Sequence, residues 1–328
     1  MAIVVIAIHT EPLVKCNNES ILTIYKVVTD MAVPFFFLSS GYLVFEKILG
    51  QQKNIQETKI KNYIKKILRL YLIWNIIYLP VTIYDYVMNG ESLKRNLFAF
   101  IKGLIFVGCH WNSWPLWYLL SVLYTFLFLY FCLYKRNMNK IVIMITTIII
   151  YLIANKFTIL VESNAAINGS LGKIVTIAAK IFGNGRLFTG AFYITAGFLI
   201  AFYYSNLKNN KIIIGIIFIM CIYGKIVLNG LQERCALAIL SVSFFILILF
   251  LDIPESRIWS FCRKMSTKLF LLHMLIYSGL DIIIIKNRYA VGLVCFIITV
   301  LVTMLLSIIL LYFEKRNGQL KDLSSQGP

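Results

Sequence analysis

The chain has 328 residues, of which 60% are hydrophobic, and its mean hydropathy is +0.81. Because soluble domains contain roughly 45–50% apolar residues, this composition excludes an ordinary soluble protein. The net charge of +18 comes from basic residues that lie in short clusters between apolar runs. Such clusters are typical of membrane topology determinants, and we predict no nucleic-acid partner. The seven cysteines are scattered singly, so the sequence predicts neither a metal site nor a disulfide scaffold.

Apolar runs long enough to span a bilayer recur along the whole chain, and they do not alternate as barrel strands do. Since helices satisfy their own backbone hydrogen bonds in lipid, we predict an all-α, polytopic membrane helix bundle of about ten transmembrane helices. The predicted segments are residues 1–14, 25–48, 67–87, 116–134, 141–160, 187–204, 212–228, 235–251, 269–285 and 291–313.

Shorter features complete this organisation. We predict an amphipathic piece at 97–107, a helical piece at 174–182, and a division into a transmembrane domain (1–316) and a polar cytoplasmic tail (317–328). The first segment offers 14 residues, where a span needs about 20. It is therefore either a half-length helix, or the native chain begins upstream of Met1.

Ten spans place both ends of the chain on the same side of the membrane. The loops on that side carry 19 of the 32 Lys and Arg residues. Because positively charged loops favour the cytoplasm, we predict a multi-pass protein of the plasma membrane with both termini cytoplasmic and the lipid bilayer as its surroundings. This orientation places His9, Glu11 and His110 toward the outer side.

A histidine and a carboxylate stand at the end of the first segment, at His9 and Glu11. Ionisable groups at membrane depth are costly and usually face protein or water. Pro12 disfavours helical dihedrals at Glu11, so the helix should end near Thr10 and let the carboxylate fold back toward the imidazole. Asp30 is a second candidate for orienting His9, and we assign His9, Glu11 and Asp30 to a catalytic site. The alternative is that His9 lies in the headgroup layer without a function.

Basic residues precede or open the third segment, among them Lys65, Lys66 and Arg69. One interpretation is anchoring to anionic lipid on the cytoplasmic side. The other is a phosphate-binding cluster, because Lys66 and Arg69 share a helix face and arginine binds phosphate through bidentate hydrogen bonds. The sequence leaves both interpretations open.

The second segment contains a proline and a run of small residues. Pro34 frees one backbone carbonyl, and Ser39–Gly41 would let another helix approach closely. We predict that Ser40 contacts the substrate, while a kinked packing helix is the alternative.

Polar and aromatic residues also flank the later segments. His110 and Trp117 lie at the outer end of the fourth segment, and we assign them to substrate binding, with an interfacial aromatic belt as the alternative. We expect His273, in the ninth segment, to hydrogen-bond a neighbouring helix, with a catalytic role as the alternative. The stretch 183–186 predicts only a turn.

Five blocks in this order resemble the acyltransferase-3 family of integral membrane acyltransferases over nearly the whole chain. The resemblance implies a bundle of helices that moves an acyl group, expected to be acetyl, from cytoplasmic acyl-CoA to an acceptor hydroxyl at the outer face. It implies acetyl-CoA as the donor and no metal. The five blocks are Val4–His9, Val33–Gly41, Lys66 with Arg69, Leu116–Leu119, and Leu269–His273.

The resemblance also implies roles for particular residues. His9 matches the first-helix histidine that is held to be catalytic, and Lys66 with Arg69 matches a pair of arginines linked to CoA handling. In this picture His9 and Arg69 line one continuous cavity at opposite depths. Lys66 keeps the charge of the family's first arginine but loses its bidentate fork, and Pro34 stands where many members have Asp. The family usually carries a basic residue well before the histidine, at a position before Met1.

A narrower similarity is to the membrane halves of vancomycin-resistance-type serine racemases, in which a soluble racemase domain follows the last helix. It implies an alternative function, the uptake of a small amino acid such as serine, and a fused C-terminal soluble domain as a partner. A purely structural anchor for such a domain is a third hypothesis. It would not require His9, Asp30 and Arg69 at these depths.

Overall fold

The structure is a computed structural model that describes residues 1–110, 112–163, 169–251, 253–254, 256–280 and 291–324, except for the side chains of residues 169–171 and 317–324. These residues form helices joined by short turns, and no strand occurs among them, which confirms the predicted all-α class. The helices are α1 (Ala2–Thr10), α2 (Glu19–Glu46), α3 (Lys53–Met88), α4 (Leu93–Lys102), α5 (Leu116–Tyr130), α6 (Lys140–Glu162), α7 (Gly169–Phe182), α8 (Gly190–Lys208), α9 (Lys211–Val227), α10 (Gly230–Leu249), α11 (Arg257–Leu280) and α12 (Leu293–Ser324).

Within the described residues, seven helices are long and apolar enough to cross a membrane. A polytopic membrane bundle is therefore supported, while the count of ten stays a prediction. Of the other predicted spans, α1 has only 9 residues and α9 has 17. The seven spans are Glu19–Glu46, Lys53–Met88, Leu116–Lys135, Lys140–Glu162, Arg186–Lys208, Gly230–Leu249 and Leu293–Arg316.

The largest difference from the predicted boundaries is at α3, which begins at Lys53 rather than at Ile67. Its first turns are polar, but Glu57 accepts a hydrogen bond from the Tyr130 hydroxyl over 2.9 Å and pairs with Lys61 over 3.0 Å. These contacts stabilise the helix beyond the apolar run, because an i,i+4 ion pair supports the same helix and the Tyr130 bond ties it to α5.

Other boundaries differ less. The predicted amphipathic piece is α4 followed by a π-helical turn at Gly103–Val107, and the predicted helical piece at 174–182 is the second part of α7. The backbone of α12 remains helical to Ser324, past the start of the predicted tail. Residues 281–285 of the predicted ninth segment and residues 325–328 of the tail lie outside the described residues.

The chain divides into two compact units, and each is described by itself. Unit 1 comprises residues 1–25 and 253–328, and unit 2 comprises residues 26–252. In unit 1 the short α1 packs against both α11 and α12, which also pack against each other.

In unit 2, α5 packs against α3 and α8, while α10 packs against α6, α8 and α9. Two glycines allow α2 and α8 to cross closely. A Cβ added at Gly41 would lie 2.1 Å from the carbonyl oxygen of Ile194, and one added at Gly197 would lie 2.2 Å from that of Leu38. The predicted close approach of a helix at Ser39–Gly41 is thus confirmed, and α8 is that helix.

Candidate active site

The C-terminal end of α1 is held by tertiary hydrogen bonds within unit 1. The Tyr25 hydroxyl donates to the carbonyl of Ala7 over 2.7 Å, and the backbone N–H of Gly292 donates to the carbonyl of Thr10 over 2.7 Å. Carbonyls at the very end of a helix, such as that of Thr10, lack intrahelical partners. Because donors from other segments bind the carbonyls of both Ala7 and Thr10, the turn that carries His9 is fixed in position.

The helix ends where Pro12 predicts. Glu11 is left-handed (φ 43°, ψ 59°), and its N–H donates to the Ala7 carbonyl over 3.0 Å. The Glu11 side chain is exposed. The predicted end of the helix near Thr10 is confirmed, whereas a role of the Glu11 carboxylate in orienting His9 stays a prediction.

A second imidazole lies beside His9. The ring centroids of His9 and His273 are 5.3 Å apart, with their planes inclined by 31°. His9 is partly buried, and His273 is fully buried in α11. The sequence favoured a structural role for His273 over a catalytic one, and its proximity to His9 follows from the packing of α1 against α11.

The hydrogen bonding of His273 fixes its tautomer. Its Nδ1 lies 3.1 Å from the carbonyl oxygen of Leu269, four residues earlier in the same helix rather than in a neighbouring one. A carbonyl only accepts hydrogen bonds, so Nδ1 is the donor and Nε2 of the neutral ring carries the lone pair. This Nε2 is buried and has no hydrogen-bond partner among the described residues. The pair therefore presents a buried acceptor next to His9.

Asp30, in unit 2, belongs to a cluster of charged residues formed by α2, α9 and α10. Its carboxylate lies 2.8 Å from Nζ of Lys225, whose side chain is 3% exposed. Lys225 also contacts Glu233, and Lys26 pairs with Glu233 over 3.6 Å. A buried ammonium requires such partners. Asp30 and His9 belong to different units, so its predicted part in orienting His9 stays a prediction.

Lys65, Lys66 and Arg69 are all exposed on α3. They lie on one continuous helix, so the spacing that places Lys66 and Arg69 on a shared face holds. No carboxylate among the described residues pairs with any of the three. The three charges are available to an external anion, which suits both a phosphate-binding cluster and a lipid anchor.

Ser40 and Trp117 both lie where α2 meets α5. The Ser40 hydroxyl is 2.7 Å from that of Tyr118, which donates to the Phe36 carbonyl over 3.1 Å. The Trp117 ring packs edge-on against Phe37 with centroids 5.8 Å apart. The structure therefore brings two of the three predicted substrate-binding residues to one helix interface.

His110, the third of these residues, is buried in the loop that precedes α5. Its ring stacks on Phe100 at 4.6 Å, and its backbone N–H donates to the Ser113 hydroxyl over 2.7 Å. Burial lowers the pKa of His110 from 6.5 to about 4, so the ring is neutral at pH 7. The same loop reaches Trp117, because a Cβ added at Gly108 would lie 2.5 Å from its Cα.

Arg186 is a residue that the sequence reasoning missed. Its guanidinium carbon lies 5.4 Å from the Trp114 ring centroid and 5.1 Å from that of Trp117. The preceding Gly185 has φ +76°, and a Cβ there would lie 2.7 Å from the Phe157 ring. The turn predicted at residues 183–186 is thus present, and it places the Arg186 side chain against the two tryptophan rings.

A sequence model of the acyltransferase-3 family, described as an acyltransferase domain, matches residues 1–312. The chain belongs to this family. The match contains every candidate residue named above, and it supports membership of a class of membrane transferases. Among the described residues, no group of three or more His, Cys, Asp and Glu side chains could hold a metal ion.

Three curated relatives are similar to parts of the acyltransferase-3 chain. An amino-acid racemase of Enterococcus faecalis is 24% identical over 199 residues, or 60% of this chain and 26% of that protein. A serine/alanine racemase of Enterococcus gallinarum is 30% identical over 113 residues, or 34% of this chain and 16% of that protein. A second amino-acid racemase of Enterococcus faecalis is 33% identical over 118 residues, or 34% of this chain and 16% of that protein. The chain thus spans about a quarter or less of the curated relatives it matches. No solved structure matches it at a significant level.

Proposed function

We propose that this chain transfers an acyl group, acetyl in the simplest case, from cytoplasmic acyl-CoA to an acceptor hydroxyl at the outer face of the membrane. The family match over residues 1–312 is the observation that carries this proposal. The fixed position of His9 at the end of α1 supports it, because a general base must be held within reach of the proton that it removes.

His9 acts as the general base. It takes the proton of the acceptor hydroxyl while the oxygen attacks the thioester carbonyl, and the C–S bond breaks when the tetrahedral intermediate collapses. The CoA thiolate leaves and receives the proton from His9, so that the products are the acyl ester and CoA. General-base assistance contributes roughly 10²–10⁴-fold, and the remainder comes from holding thioester and hydroxyl together away from water.

His273 orients His9 in this scheme. Its buried Nε2, which has no partner among the described residues, would accept the N–H of the His9 ring when the acceptor is bound, so that the other ring nitrogen of His9 keeps its lone pair for the acceptor hydroxyl. The 5.3 Å between the ring centroids supports this role. A buried partner of this kind selects one tautomer of a catalytic histidine, as the carboxylate does in hydrolase triads.

Arg69, with Lys65 and Lys66, binds the phosphates of CoA. Arg69 offers a planar fork to a phosphate, whereas the two lysines act as point charges. Arg69→Ala should therefore weaken the binding of CoA to detergent-solubilised protein more than Lys66→Ala does. Lys59→Ala, which removes another exposed charge of α3, is the control. Equal and negligible effects of all three changes would return the cluster to a lipid anchor.

The decisive experiment follows the release of CoA from radiolabelled acetyl-CoA in proteoliposomes. The wild-type chain should release CoA and transfer label to a membrane or soluble acceptor, and His9→Ala should lower the rate at least 100-fold with an unchanged melting temperature. No turnover and no acetyl-CoA binding by the wild type, or full turnover by His9→Ala, would refute the proposal. A continuous cavity from Arg69 to His9 stays a prediction.

A second candidate function is the uptake of a small amino acid. The names of the relatives, two amino-acid racemases and a serine/alanine racemase, favour it. Its signature would be the accumulation of radiolabelled serine in proteoliposomes that His9→Ala leaves unaffected, without any consumption of acyl-CoA.

A further inference from the structure

In unit 2, the backbone around Arg186 is held in one conformation by its neighbours. The chain reverses between α7 and α8 through two left-handed glycines, Gly183 (φ +66°) and Gly185 (φ +76°). The carbonyl of Arg186 accepts a hydrogen bond from the Thr189 hydroxyl over 2.7 Å, which fixes the backbone. The side chain then extends to Trp114 and Trp117, at the start of α5.

The charge of Arg186 is not neutralised within the described part of the chain. No described carboxylate forms an ion pair with it, and the guanidinium interacts with the thiol of Cys109. Burial raises the pKa of this thiol, and the positive charges of Arg186 and Lys102 act in the opposite direction. Two cations therefore surround this part of the loop, and the Nε2 of the neighbouring His110 is buried without a partner among the described residues.

Two indole rings interact with a guanidinium in a different way than a carboxylate does. Aromatic contacts stabilise the cation through its face, but they accept none of its five N–H groups as an oxygen atom would. Holding the side chain between rings also removes much of its rotamer freedom before any ligand arrives, which lowers the entropic cost of binding. The group best matched to the remaining donors is a planar carboxylate, which accepts two parallel hydrogen bonds.

We propose that Arg186, flanked by Trp114 and Trp117, is a binding site for the carboxylate of a small hydroxyl compound. The identification of that compound as the acyl acceptor rests on the proposed function, but carboxylate binding at Arg186 does not depend on it. The predicted substrate contacts of His110 and Trp117 belong to the same region, since the loop that carries His110 packs on Trp117.

The test measures how fast phenylglyoxal modifies Arg186 in the full-length protein in detergent, with each arginine followed by mass spectrometry. The probes are L-serine and glycerate, which carry a carboxylate, the neutral analogues serinamide and glycerol, and inorganic phosphate. Serine or glycerate should slow the modification of Arg186 at least threefold with a saturable dependence on concentration. The exposed Arg136, which lies 5.3 Å from the Phe131 ring, should be unaffected and serves as the internal control.

Variants separate binding from a structural contact. In the wild type, serine or glycerate bound at Arg186 should also protect the neighbouring Cys109 from a maleimide. Arg186→Lys keeps the positive charge but loses the planar guanidinium, so this protection should be lost in the variant at an unchanged melting temperature. Arg136→Lys should retain it. Protection by serinamide or glycerol equal to that by the carboxylates, protection by phosphate alone, or no protection by any probe would overturn the carboxylate site. None of these outcomes bears on acetyl-CoA turnover, so the proposed function is tested separately.

Discussion

At the scale of single residues, the imidazoles of this chain show how an apolar environment assigns roles to identical side chains. His273 is fully buried and bonded to Leu269, which leaves one ring nitrogen as a defined acceptor beside His9. His110 is buried against Phe100, outside the membrane-spanning helices, and is neutral at pH 7. Each ring differs in what it can donate or accept because its neighbours differ.

The role of His273 leads to the first prediction. His273→Phe keeps an aromatic side chain but removes both ring nitrogens, including Nε2, so kcat for acetyl transfer should fall about 10–100-fold while KM for acetyl-CoA changes little. The pH profile of the remaining activity should also change, because the His9 tautomer is no longer selected. Met274→Leu, a neighbouring buried substitution, is the control. A lower melting temperature with an unchanged kcat would assign His273 to packing alone.

The burial of His110 predicts a pH dependence of stability. Its pKa is lowered from 6.5 to about 4, so the unfolded chain takes up a proton below pH 6.5 that the folded chain refuses until about pH 4. With respect to this group, the free energy of unfolding is highest above pH 6.5, and it falls by up to about 3 kcal/mol as the pH drops toward 4. The melting temperature in detergent should therefore decrease between pH 7 and pH 5, and less so in His110→Phe. Parallel pH curves for the two proteins would contradict this prediction.

At the scale of the helices, unit 2 is built on close contacts that small residues permit. Gly41 and Gly197 place the backbones of α2 and α8 against each other. Without a hydrophobic driving force between helices in lipid, such close packing supplies much of the attraction. The sequence indicated the small face of α2, but it could not name α8, because any helix with a matching glycine would have served.

This crossing gives the third prediction. Gly41→Ala and Gly197→Ala would each place a Cβ within 2.2 Å of a backbone oxygen, so each should destabilise the protein by about 1–3 kcal/mol. A clear drop in melting temperature is the expected result. Gly215→Ala is the matched control, since a Cβ there has no neighbour within 4 Å. Equal melting temperatures for the three variants would show that the close approach does not stabilise the bundle.

The cluster around Lys225 shows a second use of helix packing. Lys225 lies near the end of α9, Asp30 on α2 and Glu233 at the start of α10, so three helices contribute to one group of charges. Removing Asp30 or Glu233 would take away one of the two carboxylates that compensate the buried ammonium of Lys225. The sequence indicated Asp30 as a functional residue because of its depth, and the structure adds a structural partner that no spacing in the sequence could reveal.

At the scale of the whole molecule, the chain is a polytopic helical protein with seven helices suited to cross a membrane among the residues described. Its orientation stays a prediction from the distribution of Lys and Arg. Lys and Arg are more numerous in the loops on one side of the membrane, and ten spans would place both termini on that side, so both termini are expected in the cytoplasm. An exposed native cysteine offers a direct way to measure this orientation.

Cys262 supplies this measurement. It is exposed near the start of α11, in the part of the chain predicted to face the cytoplasm. A membrane-impermeant maleimide should label it in lysed cells and not in intact cells, in a variant with the other six cysteines replaced by Ala. A single cysteine introduced at Glu91, which is exposed between α3 and α4, should show the opposite pattern. Labelling of Cys262 in intact cells would reverse the predicted topology.

The sequence by itself determined the helical class, most helix positions, the end of α1 at Pro12 and the family. These features depend on local properties, namely apolar run length, backbone dihedrals and short ordered motifs. The tertiary structure alone decided which side chains meet: His9 with His273, Asp30 with Lys225, and Arg186 with Trp114 and Trp117. Such contacts join residues distant in the sequence, and they form only where packed helices bring them together, so no local pattern encodes them.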